Sequence, residues 1–253
     1  MILLRSILFA IAFYLNCVFW FILANVGYVV PLSWYYQIAF AWTRTSVWLH
    51  KTITGSALEY RGIERIPKGA LIVACKHQSA WETVGIFSFF SKPTYILKRE
   101  LLWIPIFGWH LWALGQIGIN RGRGSEALAA LKAAAQKAMD EDRQILIFPE
   151  GTRRAVGAPP EYKYGVARLY AALNVPVLPI AHNAGLAWPR RKFMKYPYKV
   201  ICEFLDPIPP GLPPAEFHKL LQERIETATN RLVDEALAEK GQSLSDIQAR
   251  VES

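Results

Sequence analysis

Three short stretches carry side chains whose types and spacing suit chemistry. In Lys76-His77-Gln78-Ser79-Ala80-Trp81-Glu82 a histidine stands five residues before a carboxylate. A carboxylate on one ring nitrogen fixes the tautomer and stabilises the cation formed when the other nitrogen takes a proton, as in the serine-protease triad. Spacing alone says little, because His218 and Glu223 repeat it. That pair lies in a helical stretch, where five residues turn ~500° and leave the side chains ~140° apart. His77 differs in following the apolar run of residues 70–75 directly. Ligands of open α/β sheets bind at the carboxyl ends of strands. Glu82 has a second reading, since Ser79-x-x-Glu82 fits a capping box with Ser79 at N-cap and Glu82 at N3.

The second stretch, Phe148-Pro149-Glu150-Gly151-Thr152-Arg153, also closes an apolar run. Its Gly-Thr-Arg turn offers backbone N–H groups, a hydroxyl and a guanidinium together, which suits a phosphate. A plain strand-to-loop turn with a solvated arginine is the bland alternative. The third, residues 115–121, reads as a strand ending in Arg121. It overlaps Gly122-x-Gly124-x-x-Ala127, which mimics a dinucleotide fingerprint but has no clear acidic ribose partner ~20 residues on. There is no G-x-S-x-G elbow, no H-E-x-x-H and no G-x-x-x-x-G-K-[ST], so a hydrolase elbow, a zincin and a P-loop enzyme drop out.

The elements that must position these groups follow from the apolar pattern. Residues 70–75, 94–97, 116–120, 144–148, 175–180 and 198–205 read as strands. Residues 79–90, 125–140, 163–173 and 214–240 read as helices, the last with a 3.6 period and Gly241 at its stop. Strands alternating with helices predict an α/β fold, a mostly parallel central sheet flanked by helices. The 253 residues are 53% hydrophobic and 19% charged, which excludes a disordered chain. Three distant cysteines exclude a disulfide framework or a cysteine-built metal site, and no metal is expected.

From Ser6 to Thr43 there is no charged residue or histidine. One straight helix of that length would be nearly twice the ~30 Å of a hydrocarbon core. Gly27 and Pro31 break it into two pieces, giving an N-terminal membrane-anchoring helical hairpin at residues 1–54 before a body at 55–253. Arg5 on one side and Arg44, His50 and Lys51 on the other place both ends at the cytoplasmic face, the plasma membrane in a bacterium. A cleaved signal peptide fits less well, because the segment is too long and lacks a cleavage site. Residues 101–120 also lack Asp, Glu, Lys and Arg. They read as apolar surface touching lipid or lining an acyl-chain tunnel; a second span would put the flanking motifs on opposite sides of the membrane.

Taken in order, KHQSAWE, the segment ending at Arg121, FPEGTR and the run Val175-Pro176-Val177-Leu178-Pro179-Ile180 resemble the 1-acylglycerol-3-phosphate (lysophosphatidic acid) acyltransferase family of glycerolipid acyltransferases. The resemblance covers about residues 58–205, and the hairpin is similar to the family's two-helix anchor. It implies transfer of a fatty acyl group from a thioester of acyl carrier protein or coenzyme A to the sn-2 hydroxyl of 1-acylglycerol-3-phosphate, giving phosphatidic acid. On that resemblance His77 is the general base and Glu82 its partner. Arg121 and Arg153 are phosphate ligands with Gly151 and Thr152 in the turn, and Lys98 is a further phosphate contact. Glu150 and Pro179 serve the acyl chain or the structure. Two departures stand out: the family usually has Asp at the place of Glu82, and often a bulky apolar residue at Gly118.

That chemistry needs no cofactor beyond the thioester co-substrate, since a thioester is already activated. It needs a base for the hydroxyl, donors for the oxyanion and positioning of both substrates. The net charge of +9 suits an anionic lipid surface. Nucleic acid fits poorly, because the aromatics are not interleaved with basic residues. Rival readings are an acyltransferase for another lysolipid, including a lyso-amino-lipid, a thioesterase using the same dyad, and a non-enzymatic anionic-lipid-binding membrane protein.

Overall fold

The computed structural model describes residues 1–120 and 124–247. The chain opens with helix α1 (Ile2–Leu23), a 3-10 turn at Ala24–Tyr28 and helix α2 (Leu32–Thr54). Pro31 caps α2 with an extended backbone, so the break falls where the sequence places it. The two helices form an antiparallel hairpin tied by a polar seam. Asn16 Nδ2 donates to Ser46 Oγ at 3.0 Å and Trp20 Nε1 to Thr45 Oγ1 at 3.0 Å. The rest of α1 is apolar and mostly uncovered, and its 22 residues are long and apolar enough to cross a membrane.

The body is a seven-stranded sheet of β1 (Leu58–Arg61), β2 (Leu71–Cys75), β3 (Pro93–Lys98), β4 (Ile117–Ile119), β5 (Gln144–Ile147), β6 (Val177–His182) and β7 (Val200–Phe204). The strand order is β1-β7-β6-β2-β5-β3-β4. Every pair is parallel except β6 with β7. This is the expected mostly parallel sheet flanked by helices. Period 2 along β2 divides the core. Leu71, Val73 and Cys75 face one cluster with Trp81, Phe87 and the α2 residues Tyr36 and Phe40. Ile72 and Ala74 face the other, built with helices α5 (Gly124–Asp140), α6 (Gly165–Leu173) and α7 (Pro214–Ala238).

Some local expectations are corrected. β1 was not legible, being only four half-buried residues. The helix expected at 79–90 is a short α3 (Trp81–Gly85) followed by a 3-10 turn at Phe87–Phe89. The helix begins one residue later than expected, after Ala80, while Ser79 Oγ still accepts from Trp81 N at 3.0 Å and donates to Trp188 O. Residues 101–119, by contrast, form apolar surface and no span, as the sequence implies. They fold as the end of a 3-10 turn (Arg99–Trp103), helix α4 (Phe107–Ala113) and β4, with Trp103, Trp109 and Trp112 exposed.

Candidate active site

Because β2, β3, β5 and β6 run parallel, their carboxyl ends share one edge, and His77, Glu82, Lys98 and the 148–153 turn collect there. β2 runs straight into Lys76 and His77, and β5 into the Phe148–Arg153 turn. His77 Nδ1 lies 2.7 Å from Glu82 Oε1, and its ring stacks on Phe148 with centroids 4.0 Å apart. With Nδ1 held by a carboxylate, Nε2 is the nitrogen left to accept a proton. The His77 backbone is pinned at both ends. Its N–H donates to Glu150 Oε2 at 3.0 Å, and its carbonyl accepts from Arg154 N at 2.7 Å.

Glu82 is fully buried. Its Oε1 also accepts from the N–H groups of Gln78 and Ser79, at 3.0 and 2.9 Å. One half of the expected capping box is therefore present, the reach back to the Ser79 N–H, while the same oxygen holds His77. Burial pushes this carboxyl up, but the His182 and His77 rings and the Ser79 N–H outweigh it and hold it below the usual range. His182 itself is pulled down by burial. Ala184 N donates to His182 Nδ1 and Nε2 lies 2.8 Å from the Lys76 carbonyl, which assigns the proton to Nε2.

Beneath this layer lies a buried ionic group. Lys76 Nζ sits 2.9 Å from Glu150 Oε1 and 2.7 Å from Glu226 Oε1 of α7, and Tyr162 Oη donates to the same Glu226 oxygen at 2.9 Å. Burial raises the Glu150 carboxyl against the pull of Lys76. Glu150 thus joins the pinning of His77 to the C-terminal helix. Pro179 lies in the middle of β6, paired with Ala74 and buried. Neither residue lines the cavity described next.

An apolar cavity of about 500 Å³ opens beside His77. Its rim holds Lys98, Gly151, Thr152, Arg153, Arg190 and Arg191. It is lined as well by Phe21, Tyr35, Ala39 and Trp42 of the hairpin and by Leu97, Leu111 and His110 of the body. Gly151 has φ +66°, the left-handed turn that brings Thr152 and Arg153 to the rim. Arg121 lies outside the described residues, as do Gly122 and Arg123 of the dinucleotide-like motif. Gly118 is not in this cavity; a Cβ there would sit 2.6 Å from Leu102 Cδ1, so Leu102 already fills the space. His218 sits on α7 against Tyr164, remote from the cavity lining. Among the described residues, no three His, Cys, Asp or Glu side chains converge as a metal site requires.

Sequence reasoning missed His182, Arg190, Arg191 and the hairpin's share of the lining. His182 carried the same signal as His77, a histidine ending a buried strand. The two arginines showed only as a basic run on a long connection.

The family model described as Acyltransferase matches residues 57–183. The chain is similar to the 1-acyl-sn-glycerol-3-phosphate acyltransferase of Pseudomonas aeruginosa, 42% identical over 156 residues, 62% of this chain and 61% of that protein. It is also similar to the human 1-acyl-sn-glycerol-3-phosphate acyltransferase alpha, 33% identical over 136 residues, 53% of this chain and 48% of that protein. The aligned part thus spans about half to three fifths of these relatives' length. The crystal structure of the 1-acyl-sn-glycerophosphate (LPA) acyltransferase PlsC from Thermotoga maritima superposes with a TM-score of 0.77, over 92% of this chain and 98% of that one, at 22% identity. The fold is shared.

Proposed function

Because this chain belongs to the Acyltransferase family, we propose that it moves a fatty acyl group from an acyl thioester to the sn-2 hydroxyl of 1-acylglycerol-3-phosphate, giving phosphatidic acid. The observation that carries the reading is the His77–Glu82 pair standing where an apolar cavity meets a cationic rim. The acyl chain takes the apolar cavity, and the phosphate takes the rim through Arg153 and Lys98, with Thr152 and the Gly151 turn beside them. Arg121 belongs with them by its motif.

In the reaction the acceptor hydroxyl attacks the thioester carbonyl while His77 Nε2 removes its proton. Glu82 stabilises the resulting imidazolium across the 2.7 Å contact. The tetrahedral intermediate collapses with cleavage of the C–S bond, and the imidazolium returns the proton to the departing thiolate. No covalent acyl-enzyme is required, and the group that must be held rigid, His77, is fixed by Glu82, Glu150, Arg154 and Phe148.

The hairpin at residues 1–54 anchors the catalytic body, residues 55–253, at the cytoplasmic face of a phospholipid membrane, the plasma membrane in a bacterium. The exposed apolar surface of α1 and the exposed tryptophans around α4 support this, since tryptophan favours the membrane interface. The carrier is acyl carrier protein or coenzyme A. The test uses purified full-length protein, a labelled acyl thioester and a panel of lysolipids. Phosphatidic acid formed from 1-acylglycerol-3-phosphate in preference to other lysolipids is the expected result. Thioester consumption independent of any lysolipid would make the protein a thioesterase and overturn the reading.

A further inference from the structure

We propose that Arg190 and Arg191, on the connection between β6 and β7, form with Arg153 an anion subsite at the cavity mouth that takes a phosphate group of one of the two substrates. The proposal rests on the acyl-transfer reading for the identity of those substrates, and it extends the phosphate contacts beyond the sequence motifs.

The first support is uncompensated charge. Arg153, Arg190 and Arg191 line the same cavity as His77, and among the described residues none of the three has a carboxylate partner or a side-chain hydrogen bond. The Arg153 Nε is buried without a partner. Neighbouring Arg154 differs, being paired with Glu161 at 3.2 Å. Burial, together with the charges of Arg191, Arg154 and Arg153, pulls Arg190 below the usual arginine range. Guanidiniums gathered without a counter-ion repel one another, and a dianionic phosphate with bidentate acceptor geometry supplies what they lack.

The second support is rigidity. Ser79 Oγ, two residues beyond His77, donates to the Trp188 carbonyl at 2.6 Å, so the arginine pair is tied to the turn that carries the base. The far side of the connection is held by Lys195 N donating to Ser6 Oγ at 2.9 Å and by Tyr196 N donating to the Ala187 carbonyl at 2.9 Å. Between these ties Arg191 adopts φ +55°, a left-handed conformation that is unfavourable for a residue with a Cβ. Such strain persists where surroundings over-determine the backbone, and it gathers at ligand clamps.

A phosphate reaches this mouth from two sources, the phosphomonoester of the acceptor or a phosphate of the donor's carrier arm. The experiment separates them. Full-length wild type, Arg190→Gln, Arg191→Gly and the control Lys132→Gln/Lys137→Gln are purified in detergent. Equilibrium binding of labelled 1-acylglycerol-3-phosphate, monoacylglycerol and coenzyme A is measured beside KM and kcat for acceptor and donor. Arg191→Gly tolerates the left-handed φ, and a melting temperature close to wild type checks that the fold is kept.

Each arginine variant is expected to weaken one phosphate-bearing ligand about tenfold or more, the scale of a lost charged hydrogen bond. The corresponding KM should rise alike, with kcat within about threefold. Monoacylglycerol binding should be unchanged and the lysine control nearly silent. Loss confined to 1-acylglycerol-3-phosphate assigns the subsite to the acceptor, and loss confined to coenzyme A assigns it to the donor. Unchanged binding of both, equal losses in the lysine control, or equal loss of monoacylglycerol would overturn the subsite. A wild type that transfers no acyl group would instead sink the acyl-transfer reading, while the binding comparison still decides the arginines.

Discussion

Replacing Glu82 by Gln separates what this side chain does for the fold from what it does for the chemistry. Glu82 Oε1 accepts from His77, Gln78 and Ser79, and a Gln oxygen placed there keeps all three contacts. The Gln NH2 then falls at Oε2, which accepts from Ser79 N at 3.1 Å and lies 3.7 Å from His182 Nε2. Both of those neighbours are donors, so a buried donor meets donors. The structural cost is about 1–3 kcal/mol for an unsatisfied buried group, visible as a lower melting temperature. The chemical cost is separate. Glu82 carries the charge that faces the imidazolium at 2.7 Å, an attraction of about 6 kcal/mol at an effective dielectric constant of 20. Charge-assisted hydrogen bonds measured by mutation lose less, about 1.5–3 kcal/mol. A loss between those bounds, about 2–5 kcal/mol, lowers kcat roughly thirtyfold to several thousandfold. The assay is single-turnover acyl transfer at saturating substrates, well below the variant's melting temperature. A folded Glu82→Gln protein with kcat within about threefold of wild type would refute the pairing as catalytic and leave Glu82 a structural residue.

Removal of the base itself, His77→Ala, is expected to lower turnover by about 10²–10⁴ with folding and membrane binding retained, while His218→Ala changes little; retention of more than a tenth of wild-type turnover contradicts the assignment. Lys76→Met leaves Glu150 and Glu226 facing each other without their cation, an expected cost of about 3–5 kcal/mol for breaking a buried pair. Glu226→Gln keeps the Lys76–Glu150 contact and should cost clearly less, so the reverse order in thermal or denaturant unfolding speaks against the network. Lys195 is buried between the carbonyls of Lys192 and Phe193 and the Trp188 ring, and burial pulls it down to about 8. The unfolded lysine keeps its ordinary value near 10.4, so between pH 8 and about 10.4 the unfolded chain binds more protons and this group's contribution to stability rises with pH. The melting-temperature advantage of Lys195→Met over wild type should therefore shrink across that window; a constant difference would show that Lys195 does not titrate there.

How much of this was legible in the sequence depended on how local the signal was. β2 and β5 are continuous apolar runs ending in polar motifs, so strand, strand end and His77 could be read together. The Ser79–Glu82 spacing was right about the reach-back and about Ser79 Oγ accepting a helix-start N–H, but not about where the helix begins, nor about the bond from Ser79 Oγ to Trp188, more than a hundred residues away. The Lys76–Glu150–Glu226 group joins β2, the β5 turn and α7, which no spacing rule connects. Arg190 and Arg191 were invisible for the same reason: their place at the rim is set by the Ser79 and Ser6 ties at either end of the connection. The hairpin was read correctly as two pieces, yet its composition gave no hint that α2 would bury Tyr35, Tyr36 and Phe40 against the body.

That last contact changes what the hairpin is. Tyr35 Oη meets His110 Nδ1 in the lining of the cavity, and Tyr36 Oη accepts from Arg143, whose own guanidinium also reaches the Leu114 carbonyl. A segment that served only to hold the body near lipid would need no such polar anchoring and could be joined by a flexible linker. Here the same helices that present α1 outward place Phe21, Ala39 and Trp42 along the apolar cavity beside His77. The hairpin and the body thus line one cavity together. On the proposed reading, the sheet's carboxyl edge supplies the base and the arginines, and the hairpin supplies a wall for the acyl chain. α2 packs against both α1 and the body, so the position of α1 and the shape of the cavity are mechanically linked.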